Sequence, residues 1–393
     1  MQFADRISGV HPSAIREIFK VLGDPSIISF AGGNPDPSTF PAEQMAEISE
    51  RLFRTNSASA LQYSVTEGYP RLRQQIADRL KTKFNVGSDN DTVMVLTGGQ
   101  QGIDLTCKVL CNEGDVVICE EPSFIGALNA FRTYKTRLCG VPLDEDGINI
   151  EKLEKTLETE KNAKLLYLIP TFQNPAGITM SAEKRKKVYE LAKRYGVTIL
   201  EDNPYGELRF AGEDIPTIKS MDTDGIVVYC GSFSKILSPG MRIGFVCAPK
   251  EIAAKMTIGK QVTDVHTNIF FQMVVSEFIE QYDLDQHITK IRALYRDKCK
   301  AMLDGLDENL PKGCSHTSPQ GGLFVWCRLP ESIDADVFSK QLVKEKLAVV
   351  PGSAFMPDET KKTSCIRLNY SMPAFEQIQQ GCRILGEAIK KSL

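Results

Sequence analysis

No stretch of this 393-residue chain approaches the roughly 18 consecutive apolar residues that a bilayer-spanning helix needs. The N-terminus offers no secretory leader either. In MQFADRISGVHPSAIREIFK, the charges of Asp5, Arg6, Arg16 and Glu17 interrupt any apolar core. Charge of one sign does not accumulate. The formal net charge is −3, with neither a basic run of five or more nor a basic tail, which argues against broad contact with nucleic acid or a membrane surface. There is no CxxC pair, and the eleven cysteines are scattered and odd in number, so they cannot all pair within one chain. Cys107 and Cys111, four apart, read as neighbours buried together on a helix. A reducing, cytoplasmic setting is the simplest expectation. No repeat and no low-complexity segment occurs, and no metal site is expected.

What is there reads as α/β. Hydrophobic residues make up 42 % of the chain and charged residues 25 %, a balance that suits a full core. At this length two domains are expected. TVMVLT (92–97), VVICE (116–120), KLLYLIP (164–170), VTILED (197–202), IVVYC (226–230) and IGFVC (243–247) each read as a buried strand. Amphipathic stretches lie between several of them. SAEKRKKVYELAKRYG (181–196) opens on a Ser cap and closes on Gly. This alternation predicts a mostly parallel sheet between helices in a large domain over 46–285. Residues 286–393, with strand patterns in GGLFVWCRLP and TSCIRLNYS, predict a smaller α+β domain on which 1–45 packs back.

In open α/β sheets, ligands bind beyond the carboxyl ends of the strands. Five strand patterns run there into small, polar or aromatic residues: GGQQG (98–102), PSF (122–124), TFQNPAG (171–177), DNPYGEL (202–208) and GSFSK (231–235). GGQQG opens a helical pattern, so the amides around Gly99, Gln100 and Gln101 suit a phosphate at the helix's positive end. It matches neither GxxxxGK[ST] nor GxGxxG. An ordinary glycine-rich turn is the plain alternative. Lys235 follows Ser232 and Ser234; partly buried, it would serve as a nucleophile towards a carbonyl, and otherwise it is a loop lysine. Arg242 and the two serines complete a dianion site, or Arg242 makes a single ion pair. Asp202 ends a strand and would hold a positive nitrogen. Tyr205 offers a phenol and Asn174 an amide. Arg367, between Ile366 and Leu368, points opposite to them on a strand, where its fork suits a carboxylate; bridging two domains is the alternative. Pyridoxal 5'-phosphate (PLP) needs a lysine for its aldehyde, a cradle for its phosphate and an acid for its ring nitrogen.

The sequence resembles the fold-type I PLP-dependent aminotransferases of class I/II. The likeness is strongest to the branch that holds 2-aminoadipate (LysN-like), kynurenine and aromatic aminotransferases and the transaminase-like half of MocR regulators. It rests on PSAIREIFK, ISFAGGNPDPSTFP, LQYSVTEGYPRLR, LTGGQQGIDL, EEPSFIGAL, YLIPTFQNPAGITMS, EDNPYGELRF, GSFSKILSPGMRIGF, PQGGLFVW and IRLNYS, which span nearly the whole chain. The resemblance implies an α/β fold-type I enzyme, its large domain built on a mostly parallel seven-stranded sheet between helices, that exchanges the amino group of an amino acid with a 2-oxo acid. Lys235 resembles the Schiff-base lysine that later carries the proton. Asp202 resembles the pyridinium partner, and Tyr205 and Asn174 the partners of the phenolic oxygen. Gly99, Gln100, Ser232, Ser234 and Arg242 match phosphate-binding positions. Phe124 stands where a tyrosine often stacks on the ring; the π-face is kept and the hydroxyl is not. Tyr63 matches a tyrosine that reaches the phosphate of the other subunit, so a homodimer with shared sites is implied. Arg367, aided by Asn174, matches the holder of the substrate α-carboxylate, and Gly33 lines the substrate side. Arg16 matches a contact to a distal carboxylate, with an ion pair to Glu17 or Asp24 as the alternative. The same fold also serves lyases and racemases, but the resemblance favours transfer. A MocR-type regulator would carry a DNA-binding domain ahead of the matched region, and none is expected here.

Overall fold

The computed structural model describes residues 3–8, 10 and 24–393. The first strand, β1 (Ile28–Ser29), pairs in parallel with residues 347–348, far along the chain. Eight strands then build the main sheet: β2 (Asp91–Thr97), β3 (Val116–Glu121), β4 (Arg137–Asp144), β5 (Gly147–Ile148), β6 (Ala163–Leu168), β7 (Thr198–Asp202), β8 (Val227–Ser232) and β9 (Ile243–Pro249). Their order is β2-β9-β8-β7-β6-β3-β4-β5. The pairs β3–β4, β3–β6, β6–β7 and β7–β8 are parallel, and β9 runs antiparallel to both β8 and β2. Seven of these strands have five to eight residues; the two-residue β5 turns back on β4 and adds a short eighth.

Alternate residues of one strand serve different cores, which is why these runs are apolar throughout. Val117 and Cys119 of β3 join one apolar cluster, and Val116 and Ile118 join another. Helix Gly99–Leu110 supplies Ile103 and Leu105 to the first; helix Ala182–Tyr195 supplies Val188 and Leu191 to the second. The caps of the latter helix follow the sequence. Ser181 Oγ accepts from Lys184 N at 3.4 Å, and Gly196 ends it in the left-handed region at φ +68°.

The smaller sheet is antiparallel. Its strands are β10 (Ser315–His316), β11 (Phe324–Arg328), β13 (Val350–Pro351) and β14 (Cys365–Asn369), in the order β10-β11-β14-β13; between them in sequence, β12 (Leu347–Ala348) holds β1. Helix Leu284–Asn309 lies against the C-terminal helix Phe375–Ser392. It also anchors the N-terminal segment: the buried ammonium of Lys298 donates to Asp36 Oδ2 at 2.5 Å and to the Ser371 carbonyl at 2.8 Å. No helix among the described residues is long and apolar enough to cross a membrane. All eleven cysteines are free.

This topology decides where the chemistry gathers. β2, β3, β6, β7 and β8 all end on one edge of the main sheet, and antiparallel β9 begins there. The five polar segments read from the sequence therefore share one rim, facing β11 and β14 of the smaller sheet.

Candidate active site

At the end of β2, Gly98 adopts φ +76°, a conformation that glycine takes without strain. A Cβ there would overlap the guanidinium of Arg242, and a Cβ on Gly244 would lie 2.5 Å from the Gly98 carbonyl carbon. Two glycines thus let β2, β9 and Arg242 close on one another. Arg242 itself sits at φ +57°, where a short 3-10 turn, Pro239–Met241, ends. Its Nη2 donates to the Thr97 carbonyl at 3.4 Å and its Nη1 to the Pro239 carbonyl at 3.3 Å. Ser232 Oγ donates to Ser234 Oγ at 2.8 Å and accepts the Ser234 N–H at 3.1 Å, so both hydroxyls stand together at the end of β8.

Lys235 Nζ donates to the Gly33 carbonyl at 2.8 Å, which joins the large-sheet rim to the N-terminal segment. Burial, then the charges of Arg367 and Arg242, lower its pKa to about 8. Asp202 ends β7, buried, and accepts from the Tyr167 hydroxyl at 2.8 Å. Burial raises its pKa to about 7, against the lowering effect of that hydrogen bond. Such a carboxylate is poised to gain from a cation placed beside it. Tyr205 is buried and its phenol is pushed further up by burial. Asn174 Nδ2 donates to Tyr205 Oη at 3.4 Å, and Asn174 Oδ1 accepts from Arg367 Nη1 at 3.0 Å. Arg367, on β14, also donates from Nη2 to the Ala31 carbonyl at 2.6 Å. Its guanidinium lies between two rings, 4.3 Å from the centroid of Phe324 and 4.9 Å from that of Phe355. Its Nε is buried with no partner among the described residues. That leaves a donor for a carboxylate.

The structure brings Asn174, Tyr205 and Arg367 into one chain of contacts, and Lys235, tied to Gly33, feels the charge of Arg367. Gln100 Nε2 donates to the Gly126 carbonyl at 2.7 Å, next to Phe124 at the start of helix Ile125–Thr133. Gln101 turns elsewhere: its side chain binds Thr97, Lys260 and Asp264, so its amide group is not free for a ligand. Tyr63 is 81 % exposed and lies edge-on to the ring of His266, on the outer surface of the chain. Arg16 lies outside the described residues. Asp24, named as one alternative partner, accepts from Lys346 at 3.0 Å. Three residues of the site escaped the sequence reading. Glu120, buried at the end of β3, accepts from Ile169 N at 3.0 Å and Gln173 Nε2 at 3.2 Å, and burial raises its pKa to about 8. Gln173 also donates to the Pro122 carbonyl at 2.8 Å and accepts from Ala176 N at 2.8 Å, which pins the turn that carries Asn174. Tyr167 is the third, through its bond to Asp202.

Residues 25–385 match the family described as aminotransferase class I and II. The chain belongs to this family. Aromatic-amino-acid aminotransferase 1 of Thermococcus litoralis is 40 % identical, over 100 % of this chain and 94 % of its own length. The 2-aminoadipate transaminase of Thermus thermophilus is 38 % identical, over 97 % of this chain and 94 % of its own. The crystal structure of Pyrococcus horikoshii kynurenine aminotransferase in complex with PMP, KYN and KYA superposes with a TM-score of 0.96 at 39 % identity, covering 100 % of this chain and 97 % of that one. The aminotransferase therefore takes PLP as its cofactor, and its residues fit that group. Glycine at 98 keeps the cradle beside Arg242 open, and the donors there suit a dianion. A lysine of lowered pKa and a buried carboxyl stand on the same rim.

The lowered pKa makes a kinetic prediction. A lysine amine attacks an aldehyde only in its neutral form, and the neutral fraction of Lys235 grows as the pH rises through about 8. Capture of PLP by the cofactor-free protein, followed by stopped-flow absorbance, should quicken about tenfold per pH unit below that value and level off above it. A rise that continues to pH 10.5 would mean that Lys235 keeps its ordinary value.

Proposed function

We propose that this aminotransferase moves an amino group between an L-amino acid (2-aminoadipate, glutamate, an aromatic or a branched-chain one) and a 2-oxo acid such as 2-oxoglutarate, in two half-reactions on one site. The observation that carries this reading is the continuous set of contacts from Arg367 through Asn174 to Tyr205, beside Lys235. Bound there, PLP supplies an electron-withdrawing ring that makes the Cα–H bond of an attached amino acid acidic. Gly99 and Gln100 amides, the Ser232 and Ser234 hydroxyls and the Arg242 guanidinium hold the phosphate. Phe124 offers its π-face to the ring, and Asp202 keeps the ring nitrogen protonated. Tyr205 and Asn174 donate to the phenolic oxygen. Arg367 orients the substrate by its α-carboxylate, and Gly33 closes the substrate side. Lys235 Nζ would hold the group through its aldehyde carbon and, when free, would carry the proton of the substrate Cα.

We place the cofactor on a large unit of residues 46–285 and Arg367 on a smaller unit of 286–393 with 1–45. The pairing of β1 with β12 supports that division. The enzyme works as a homodimer in which Tyr63 reaches the partner subunit's phosphate. Exposed apolar side chains flanking Tyr63 in sequence support it: Leu61 at 73 % and Val65 at 50 % exposure. Eleven free thiols support a reducing, cytoplasmic setting.

The test is a donor panel with 2-oxoglutarate, in which the product amino and oxo acids are quantified by chromatography. Equal amounts of glutamate formed and donor consumed support transfer. Consumption of donor without glutamate points to elimination or racemisation. Substrate choice has its own check in Arg16, the position matched to a distal-carboxylate contact. Arg16→Ala should lower kcat/KM for 2-aminoadipate at least about tenfold more than for leucine or phenylalanine, the loss of one charge-assisted pair. Equal losses for all donors would make Arg16 a structural residue.

A further inference from the structure

Behind the turn Thr97–Gly99 lies a polar cluster that the chemistry above does not use. Lys260, in the last turn of helix Lys250–Gln261, is 0 % exposed. Its ammonium donates to Gln101 Oε1 at 2.6 Å and to both oxygens of Asp264 at 2.9 Å. Asp264 Oδ2 also accepts from Gln101 Nε2 at 2.8 Å and from Thr97 Oγ1 at 2.8 Å. Gln101 Oε1 accepts the Thr97 N–H as well, at 2.9 Å. With Arg242 on its carbonyl, Thr97 has its N–H, its hydroxyl and its C=O all tied. Burying the Lys260 ammonium, while Asp264 keeps 27 % of its side chain exposed, is an expensive way to staple a helix, since apolar side chains of similar volume often do as well. What a fully bonded pair adds is a fixed geometry. Here the geometry it fixes is that of the residue leading into Gly98 and Gly99. Lys260 and Asp264 also set the orientation of the Gln101 amide, which caps backward onto Thr97.

We propose that Lys260, together with Asp264, is a positioning residue for the phosphate cradle: it locks Gln101 and Thr97 so that the Gly99 and Gln100 amides and the Arg242 guanidinium converge on a phosphate monoester dianion. This rests on the reading of the Gly98–Gly99 turn as the phosphate site.

The experiment compares two probes on the cofactor-free full-length protein: PLP, and pyridoxal, which keeps the aldehyde and ring but has no phosphate. Dissociation constants are measured by absorbance titration for the wild type, Lys260→Met and Asp264→Asn. In the wild type, PLP should bind far more tightly than pyridoxal. Each variant should weaken PLP about ten- to hundredfold, the size of losing an outer positioning partner, and leave pyridoxal within about twofold. Variants that keep the wild-type ratio of the two constants overturn the proposal, and so do variants that weaken both probes equally, because a merely structural staple does that. If Lys260→Met does not fold, Asp264→Asn, which is nearly isosteric, gives the same comparison. A wild type that binds both probes equally removes the phosphate reading itself, a result distinct from failure of the positioning role.

Discussion

Lys235→Ala should lower turnover at least about 10³-fold with every donor, because in the proposed mechanism one side chain supplies both the nucleophile and the base. The phosphate cradle and Asp202 are untouched by the change, so the variant should still retain cofactor. The two readouts separate chemistry from binding: initial rates fall, while PLP content by absorbance after dialysis stays substantial. Near-normal turnover would mean that another group moves the proton, and the contact from Lys235 Nζ to the Gly33 carbonyl would then be only structural.

Asp202→Asn should cost about 10²–10³-fold in kcat, the usual size for removing one preorganised electrostatic partner from an enclosed site. The substitution keeps the volume and an acceptor for the Tyr167 hydroxyl, so the loss reports the charge. Burial has already raised the Asp202 pKa to about 7, and a carboxylate held in such surroundings pairs strongly with a cation beside it. A loss under about fivefold would point to a different acid. Glu120 is the candidate, since it is buried on the same rim and feels the charge of Asp202.

These predictions depend on residues of different legibility. Lys235, Asp202 and Asn174 could be read because each follows an apolar run at a strand end, and the parallel topology that brings such ends together is itself written in those runs. The helix at 182–195 could be read from its caps. Arg367 stood out as a charge between two apolar neighbours, but its placement between Phe324 and Phe355 depends on the packing of β11 and β14. β4 did not announce itself. Only Val141 of its eight residues is buried, and Gly140 and Pro142 dilute any alternation. Glu120 sits in a Glu-Glu pair that looks like solvated surface; its burial comes from Ile169 and Gln173 on the neighbouring segment. Gln101 was read with the cradle for its sequence position, yet helix geometry sends its side chain to the rear, where Lys260 waits 159 residues away in sequence. Contacts of that range have no local signature.

The central claim is that the cofactor is bonded at Lys235. Its most direct test is borohydride reduction of the PLP-loaded protein, proteolysis and mass spectrometry of the peptides. The account predicts a phosphopyridoxyl group on the peptide that carries GSFSK, at Lys235, in near-stoichiometric yield, and its disappearance when a productive amino donor is added before the borohydride. A label on another lysine, or none on that peptide, would contradict it.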